Sequence, residues 1–317
     1  MTPMNFTSLL DPEIARALTQ VEMLTQTLSA DNLHSIRAAR AGAPQAPVSD
    51  AVRRTDHVLA TRAHASVRMH RGHAAHGLLP AIYWMHGGGL VLGTNRIDDP
   101  RFDRWCSALE CVGASVEYEL APESQYPGPL EDCYAGLCWL HANAEAFGID
   151  PTRIGIGGSS AGAGLAAALA LLARDRGEIE VAFQAMLYPM LDDRQTSVSS
   201  QWPDPCWSPQ ANRFGWSSYL GTLSGDAVPA YAAPARATQL ANLPPAFIGV
   251  GALDGFADED VDYATRLRHA GCAVELHVYP GAPHGFVSLM PNTAVARRAE
   301  RDLAHWLGQQ LHPDGRP

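Results

Sequence analysis

The residues Gly158-Ser159-Ser160-Ala161-Gly162 follow the apolar stretch Arg153-Ile154-Gly155-Ile156-Gly157 and lead into a run of small residues, a G-x-S-x-G pattern at a strand-to-helix turn. Such a turn lifts its central residue above the strand end. Glycines two positions to either side let strand and helix approach with no Cβ between them. Ser160 takes the central position and is the candidate nucleophile. Ser159 is its competitor, but shifting the pattern one residue earlier puts Ala161 where the second glycine must stand. The same glycines do not set out G-x-G-x-x-G from a first strand, which argues against a dinucleotide site.

An activated serine needs preorganised N–H donors for the oxyanion it creates, and removing one typically costs about 3–4 kcal/mol in the transition state. His86-Gly87-Gly88-Gly89 directly follows the apolar run Ala81–Met85, where side-chain-free backbone is able to turn its amides toward that charge. His86 itself is expected to anchor this loop rather than to move protons. The base is sought after Ser160 in the order serine, acid, histidine. His284, in Pro283-His284-Gly285-Phe286, lies in a loop after the last apolar run, whereas His277 lies within that run and His305 and His312 on the final helix. His284 is therefore the candidate base. Asp254 stands just past the run Ala246–Val250 and is the candidate acid. Asp258, Glu259 and Asp260 read instead as first-turn acids favoured by a helix dipole.

Positioning these groups requires a sheet. Ala81–Met85, Ala114–Tyr118, Arg153–Gly157, Phe183–Tyr188, Ala246–Val250 and Val274–Tyr279 read as strands, and helical patterns near 129–147, 160–176, 258–270 and 294–310 lie between or after them. This alternation predicts a mostly parallel sheet with helices on both faces. Asp11-Pro12-Glu13 signals a helix start, with Ile14, Leu18, Val21, Leu24 and Leu28 following at helical spacing. The stretch Ala41-Gly-Ala-Pro-Gln-Ala-Pro-Val reads as a linker. The rhythm breaks between about Asp192 and Leu240, where Pro203, Pro205, Pro209, Trp202, Trp207 and Trp216 interrupt a connection that should be short. Four segments are expected: an N-terminal cap segment 1–48, core 49–191, a cap insertion 192–240 and core 241–317.

Composition narrows the chemistry further. All 23 basic side chains of the 317 residues are arginine, so chemistry that needs a lysine amine is excluded, including Schiff bases, the P-loop and Ser-x-x-Lys hydrolysis. The formal net charge of −10 has the wrong sign for tracking a phosphate backbone, which excludes nucleic acid as a partner. No apolar run approaches the roughly 20 residues that span a bilayer, and the start lacks the pattern of a signal peptide. Stable membrane insertion is not expected, and a cytoplasmic location is. Cys106, Cys111, Cys133, Cys138, Cys206 and Cys272 show no CxxC pair and are expected as free thiols. The His70, His73 and His76 run reads as a loop without acidic or thiol neighbours, so no metal site is assigned. The proposed chemistry needs no organic cofactor.

Taken together, His86-Gly-Gly-Gly-Leu-Val-Leu-Gly, Tyr118-Glu-Leu-Ala-Pro-Glu, Gly158-Ser-Ser-Ala-Gly, Leu187-Tyr-Pro, Asp254-Gly-Phe-Ala-Asp-Glu and Pro283-His-Gly-Phe resemble the bacterial hormone-sensitive-lipase family (family IV) of carboxylesterases. The resemblance implies an α/β-hydrolase fold with a helical cap and a serine esterase acting on short- to medium-chain esters. It implies Ser160, Asp254 and His284 as catalytic residues, the N–H groups of Gly88, Gly89 and Ala161 as oxyanion hole, and a homodimer through the edge strand 274–279. A pocket wall is expected from Leu90, Trp207, Phe214 and Phe286. Trp202, Trp207, Trp216, Phe214 and Tyr219 read equally as the core of the cap or as substrate contacts. An amidase or deacetylase would use the same three side chains, and non-catalytic ligand-binding relatives of the fold lack the histidine. Three positions depart from the family pattern: Ser159 replaces Asp or Thr, Glu119 replaces Arg, and Gly255 replaces Pro, which should loosen the acid loop.

Overall fold

The computed structural model describes residues 6–20, 28–43 and 46–315. Its N-terminal helices are α1 (Phe6–Leu9), α2 (Pro12–Leu18) and α3 (Leu33–Ala41). They are followed by β1 (Val52–Leu59), β2 (Arg62–Gly72), β3 (Leu79–Met85), α4 (Asp99–Ala108), β4 (Val112–Glu117), α5 (Gly128–Ala142), β5 (Ile149–Ser159) and α6 (Ala161–Arg176). The rest comprises β6 (Gln184–Leu187), α7 (Pro209–Leu220), β7 (Ala246–Gly251), α8 (Ala257–His269), β8 (Val274–Tyr279), α9 (Phe286–Leu289) and α10 (Ala294–Leu311).

The strands form one sheet in the order β1-β2-β4-β3-β5-β6-β7-β8, in which β2 pairs antiparallel with β1 and β4 and the other neighbours run parallel. Strand β3 shows why the sheet is covered on both faces. Its Ala81, Tyr83 and Met85 enter one apolar layer beneath α5, α6 and α8, while Ile82 and Trp84 enter the other beneath α4 and α10. A strand with no wet face reads as a continuous apolar run, which is how it stands in the sequence. Winding reverses between β4 and β5, so β3 and β5 are neighbours, with Met85 opposite Gly158. Loops leaving the carboxyl ends of two such strands face one crevice.

The parallel strands and the four long helices lie where the apolar periodicity places them. The hairpin β1–β2 does not stand out as an apolar run, because arginines and histidines separate its few inward-facing apolar side chains. Arg68 pairs with Asp99 and Asp56, and Arg54 with Asp103, so ion pairs hold the face opposite the one through which Ala65, Val67 and Met69 enter the core. Helices α3 and α4 are also additions. The His70, His73, His76 run does not form a loop throughout: His70 lies inside β2, fully buried, 3.2 Å from Ser115 Oγ and 3.7 Å from Asp99 Oδ1. Burial, with Arg68 and Arg54 nearby, pushes its pKa down to about 3, so it is a neutral core histidine. Among the described residues no group of three or more His, Cys, Asp or Glu side chains is placed to hold a metal. All six cysteines are free. No helix among the described residues is long and apolar enough to cross a membrane.

Asp11 caps α2 by accepting from the Glu13 and Ile14 N–H groups, and Pro12 takes the first helical position. The expected continuation through Val21 and Leu24 lies outside the described residues. Asp11 N donates to Gly281 O at 2.9 Å and Ala294 N to Glu13 Oε2 at 2.6 Å, tying this segment to the loop that precedes His284 and to the start of α10. Between β6 and β7, residues 188–245 make the longest connection between strands of the sheet. Ser208 caps α7 within it, and Trp216 and Tyr219 are core side chains there. Strand β8 is an outer edge, with Leu276 and Val278 part-exposed.

Candidate active site

The turn from β5 into α6 holds Ser160 at φ 57°, ψ −123°, a strained conformation for a residue with a side chain. The flanking glycines are required by contact. A Cβ on Gly158 would stand 2.3 Å from the Gly162 carbonyl carbon, and one on Gly162 would stand 2.1 Å from Met85 O. The strained turn is held by Ser160 N donating to Leu187 O at 2.8 Å. Ser159 ends β5, buried and opposite Leu187, and the hydroxyl that bonds His284 is that of Ser160.

Ser160 Oγ lies 2.7 Å from His284 Nε2, and His284 Nδ1 lies 2.8 Å from Asp254 Oδ2. A carboxylate only accepts, so Nδ1 carries the proton and Nε2 is free to accept from the serine hydroxyl. Asp254 Oδ1 accepts from Phe256 N at 2.9 Å, which fixes the carboxylate plane. Burial alone would lower the His284 pKa, but the charge and hydrogen bond of Asp254, with Asp204 behind, raise it above the ordinary imidazole value. Ser160 and His284 keep 8% and 5% of their surface exposed, whereas Asp254 keeps none, so the carboxylate is the sealed end of the line.

The glycine loop after β3 lies against the serine: a Cβ on Gly87 would stand 3.3 Å from Ser160 Cβ. Gly88 and Gly89 take φ 131° and 61°, and Leu90 follows at 66°. The turn closes through Leu92 N donating to Gly88 O at 2.9 Å. Among the described residues no acceptor takes the N–H groups of Gly88, Gly89 or Ala161. His86 anchors the loop: its Nδ1 is 2.9 Å from Gly87 O, its ring stacks on Tyr118 at 4.2 Å, and Tyr118 OH donates to His86 O at 2.7 Å. Burial pushes its pKa down to about 4, so it stays neutral.

The expected pocket residues divide. Trp207 lies on the glycine loop, where a Cβ on Gly89 would stand 2.2 Å from Trp207 Cη2, and its ring is 6.4 Å from that of His284. Leu90 is nearly buried and Phe214 half-buried, both packed into the core layer that also contains Trp207. Phe286 is a correction. It has no exposed surface and packs on Tyr188 and Tyr279, so it supports the His284 loop from beneath instead of facing the crevice. His277 bonds Glu275, His305 faces Gln309, and His312 faces Leu109 O, all outside the site.

The acid loop is tied down despite Gly255. Ser199 Oγ donates to Gly255 O and accepts from Asp258 N, both at 3.0 Å, while Ser199 N donates to Asp258 Oδ2 at 2.8 Å. Glu259 is more than a dipole acid, because its Oε1 accepts from Leu191 and Asp192 N, holding the chain as it leaves β6. Glu119 directs its N–H to Asp132. Sequence reading missed Asp204. Its carboxylate, 2% exposed, accepts from the backbone N–H of His284 at 2.7 Å. The available signal was a lone acid between two prolines in an otherwise aromatic stretch.

A serine, histidine and aspartate in hydrogen-bond line at the carboxyl ends of a mostly parallel sheet define a class, the α/β-hydrolases. A family model described as alpha/beta hydrolase fold matches residues 82–288, and the chain belongs to that family, in its hormone-sensitive-lipase-like branch. It is 34% identical to esterase LipI of Mycobacterium tuberculosis over 210 residues, 66% of each chain. It is 35% identical to carboxylesterase NlhH of the same organism over 240 residues, 74% of this chain and 75% of that one. A solved bacterial heroin esterase superposes with a TM-score of 0.89 at 39% identity, covering 96% of this chain and 99% of its own. These likenesses make the chain a carboxylic ester hydrolase.

Proposed function

We propose that the chain cleaves short- to medium-chain carboxylic esters through an acyl-enzyme, with Ser160 as nucleophile, His284 as general base and acid, and Asp254 as the group that orients it. The observation that carries this reading is the continuous line from Ser160 Oγ through His284 to Asp254, with links of 2.7 and 2.8 Å. The Ser160 oxygen bonds to the ester carbonyl carbon as its proton passes to His284 Nε2. The resulting oxyanion is received by the N–H groups of Gly88, Gly89 and Ala161. Collapse breaks the bond to the alcohol oxygen, which leaves with the proton from Nε2. Water then bonds to the acyl carbon as it gives a proton to Nε2; collapse breaks the bond to Ser160 Oγ, which takes that proton back, and the acid leaves.

In this reading residues 192–240 and the N-terminal segment act as a cap over the core segments 49–191 and 241–317. Trp207 against Gly89 supports this arrangement and makes the crevice wall aromatic, which suits aryl esters. The test is hydrolysis of p-nitrophenyl acetate and butyrate by the wild-type protein and by Ser160→Ala. The variant is expected to lose turnover entirely while remaining folded; retained turnover by folded S160A removes Ser160 from the reaction.

A further inference from the structure

We infer that Asp204 is a positioning residue that clamps the catalytic histidine loop to the aromatic wall of the crevice, an inference that rests on His284 acting as the base. Its carboxylate accepts three backbone N–H groups. Oδ2 takes His284 N at 2.7 Å, and Oδ1 takes Cys206 N at 2.7 Å and Trp207 N at 3.3 Å. One buried side chain thus joins the main chain of the base to the main chain of the residue whose indole lies on Gly89. The indole is held in turn by Nε1 donating to Asn212 Oδ1 at 3.3 Å. Base, crevice wall and oxyanion loop are thereby set relative to one another from the inserted segment. The other neighbours of the His284 ring, Tyr188 and Phe256, make edge contacts at 5.1 and 4.8 Å and leave its main chain unheld.

The charge matters as well as the geometry. Two carboxylates flank His284, Asp254 at Nδ1 and Asp204 at the backbone N–H, and both favour the imidazolium that forms when Ser160 is deprotonated. Asp204 itself faces Asp254 and His284 across the site and Cys206 on its own segment. Burial and the nearby Asp254 charge push its pKa up to about 7, against the opposite pull of His284 and the N–H donors. Protonation turns one oxygen into a donor aimed at N–H groups, so the clamp weakens as pH falls through that value.

The test uses the full chain with Asp204→Asn and Asp204→Ala. Asparagine keeps the shape but has one acceptor oxygen, so it serves only one end of the clamp, and alanine serves neither. Both variants are expected to lose about 10- to 100-fold in kcat on p-nitrophenyl butyrate. The acid limb of kcat/KM is expected to move to lower pH, because His284 loses one of the charges that hold its proton. Unchanged kcat in either folded variant, or a lower kcat with an unmoved acid limb, overturns the inference. In the wild-type protein, independent of any variant, the His284 amide must resist hydrogen exchange, and a freely exchanging amide overturns it too. Labelling of wild-type Ser160 by a fluorophosphonate separates the two readings. Without that label the acyl-enzyme proposal fails; with it, only the role of Asp204 is at stake.

Discussion

Replacing Gly88 by alanine probes the oxyanion loop without touching the serine, the base or the acid. A Cβ at this position would stand 2.0 Å from Leu92 O and 2.5 Å from Leu92 C. Non-bonded heavy atoms settle near 3.5 Å, so the main chain must yield by on the order of 1.5 Å. It has little room to do so, because Leu92 N donates back to Gly88 O at 2.9 Å and Arg37 Nε holds Val91 O at 2.8 Å. The φ of 131° is itself unfavourable for alanine. The turn therefore opens, and at least one of the two glycine N–H groups leaves its direction. Loss of one oxyanion donor costs about 2.7–4 kcal/mol, or about 10²–10³ in kcat. Steady-state kinetics on p-nitrophenyl butyrate should show that fall in kcat, with a much smaller change in KM. Gly77→Ala is the control, since Gly77 also has a positive φ, 70°, but open space around it. It should lose a little stability and no activity. A kcat for Gly88→Ala within threefold of wild type would refute the placement of the oxyanion hole on this loop.

Asp254→Asn should lower kcat by about 10⁴-fold, the scale expected when the imidazole tautomer is lost. The pH dependence follows from the same pair. His284 must be neutral to act, and its pKa is raised by Asp254 and Asp204, so wild-type kcat/KM should fall as pH drops through a value above the ordinary 6.5 or so. In the residual activity of D254N that limb should move to lower pH, and an unmoved limb would separate Asp254 from the base. Trp207→Ala should raise KM for phenyl esters more than for methyl esters, by about tenfold in the ratio, because an aromatic wall is lost. An unchanged ratio would place Trp207 outside the substrate's reach.

What could be read in the sequence was what local contact demands. Gly158 and Gly162 are spaced by the crossing of strand and helix, and β3 and β5 are apolar because both faces of the sheet are covered. His284 and Asp254 are legible through chain order and the strands that end just before them. The hairpin was hidden because its arginines find their acids elsewhere in the chain, Arg68 on α4 as well as on β1. Phe286 is expected in the pocket wall together with Leu90, Trp207 and Phe214. The left-handed turn at Gly285, φ 67°, instead leads into a short helix that buries the ring. Asp204 was illegible in its role because its partner is a backbone N–H 80 residues away, which no local pattern encodes.

The most direct test of the account is the site of covalent modification. Wild-type protein treated with a fluorophosphonate, digested and sequenced by mass spectrometry should carry one adduct on Ser160 and none on Ser159, with activity lost in proportion to labelling and no adduct on S160A. Esterase activity that survives full labelling, or an adduct on Ser159, would contradict it.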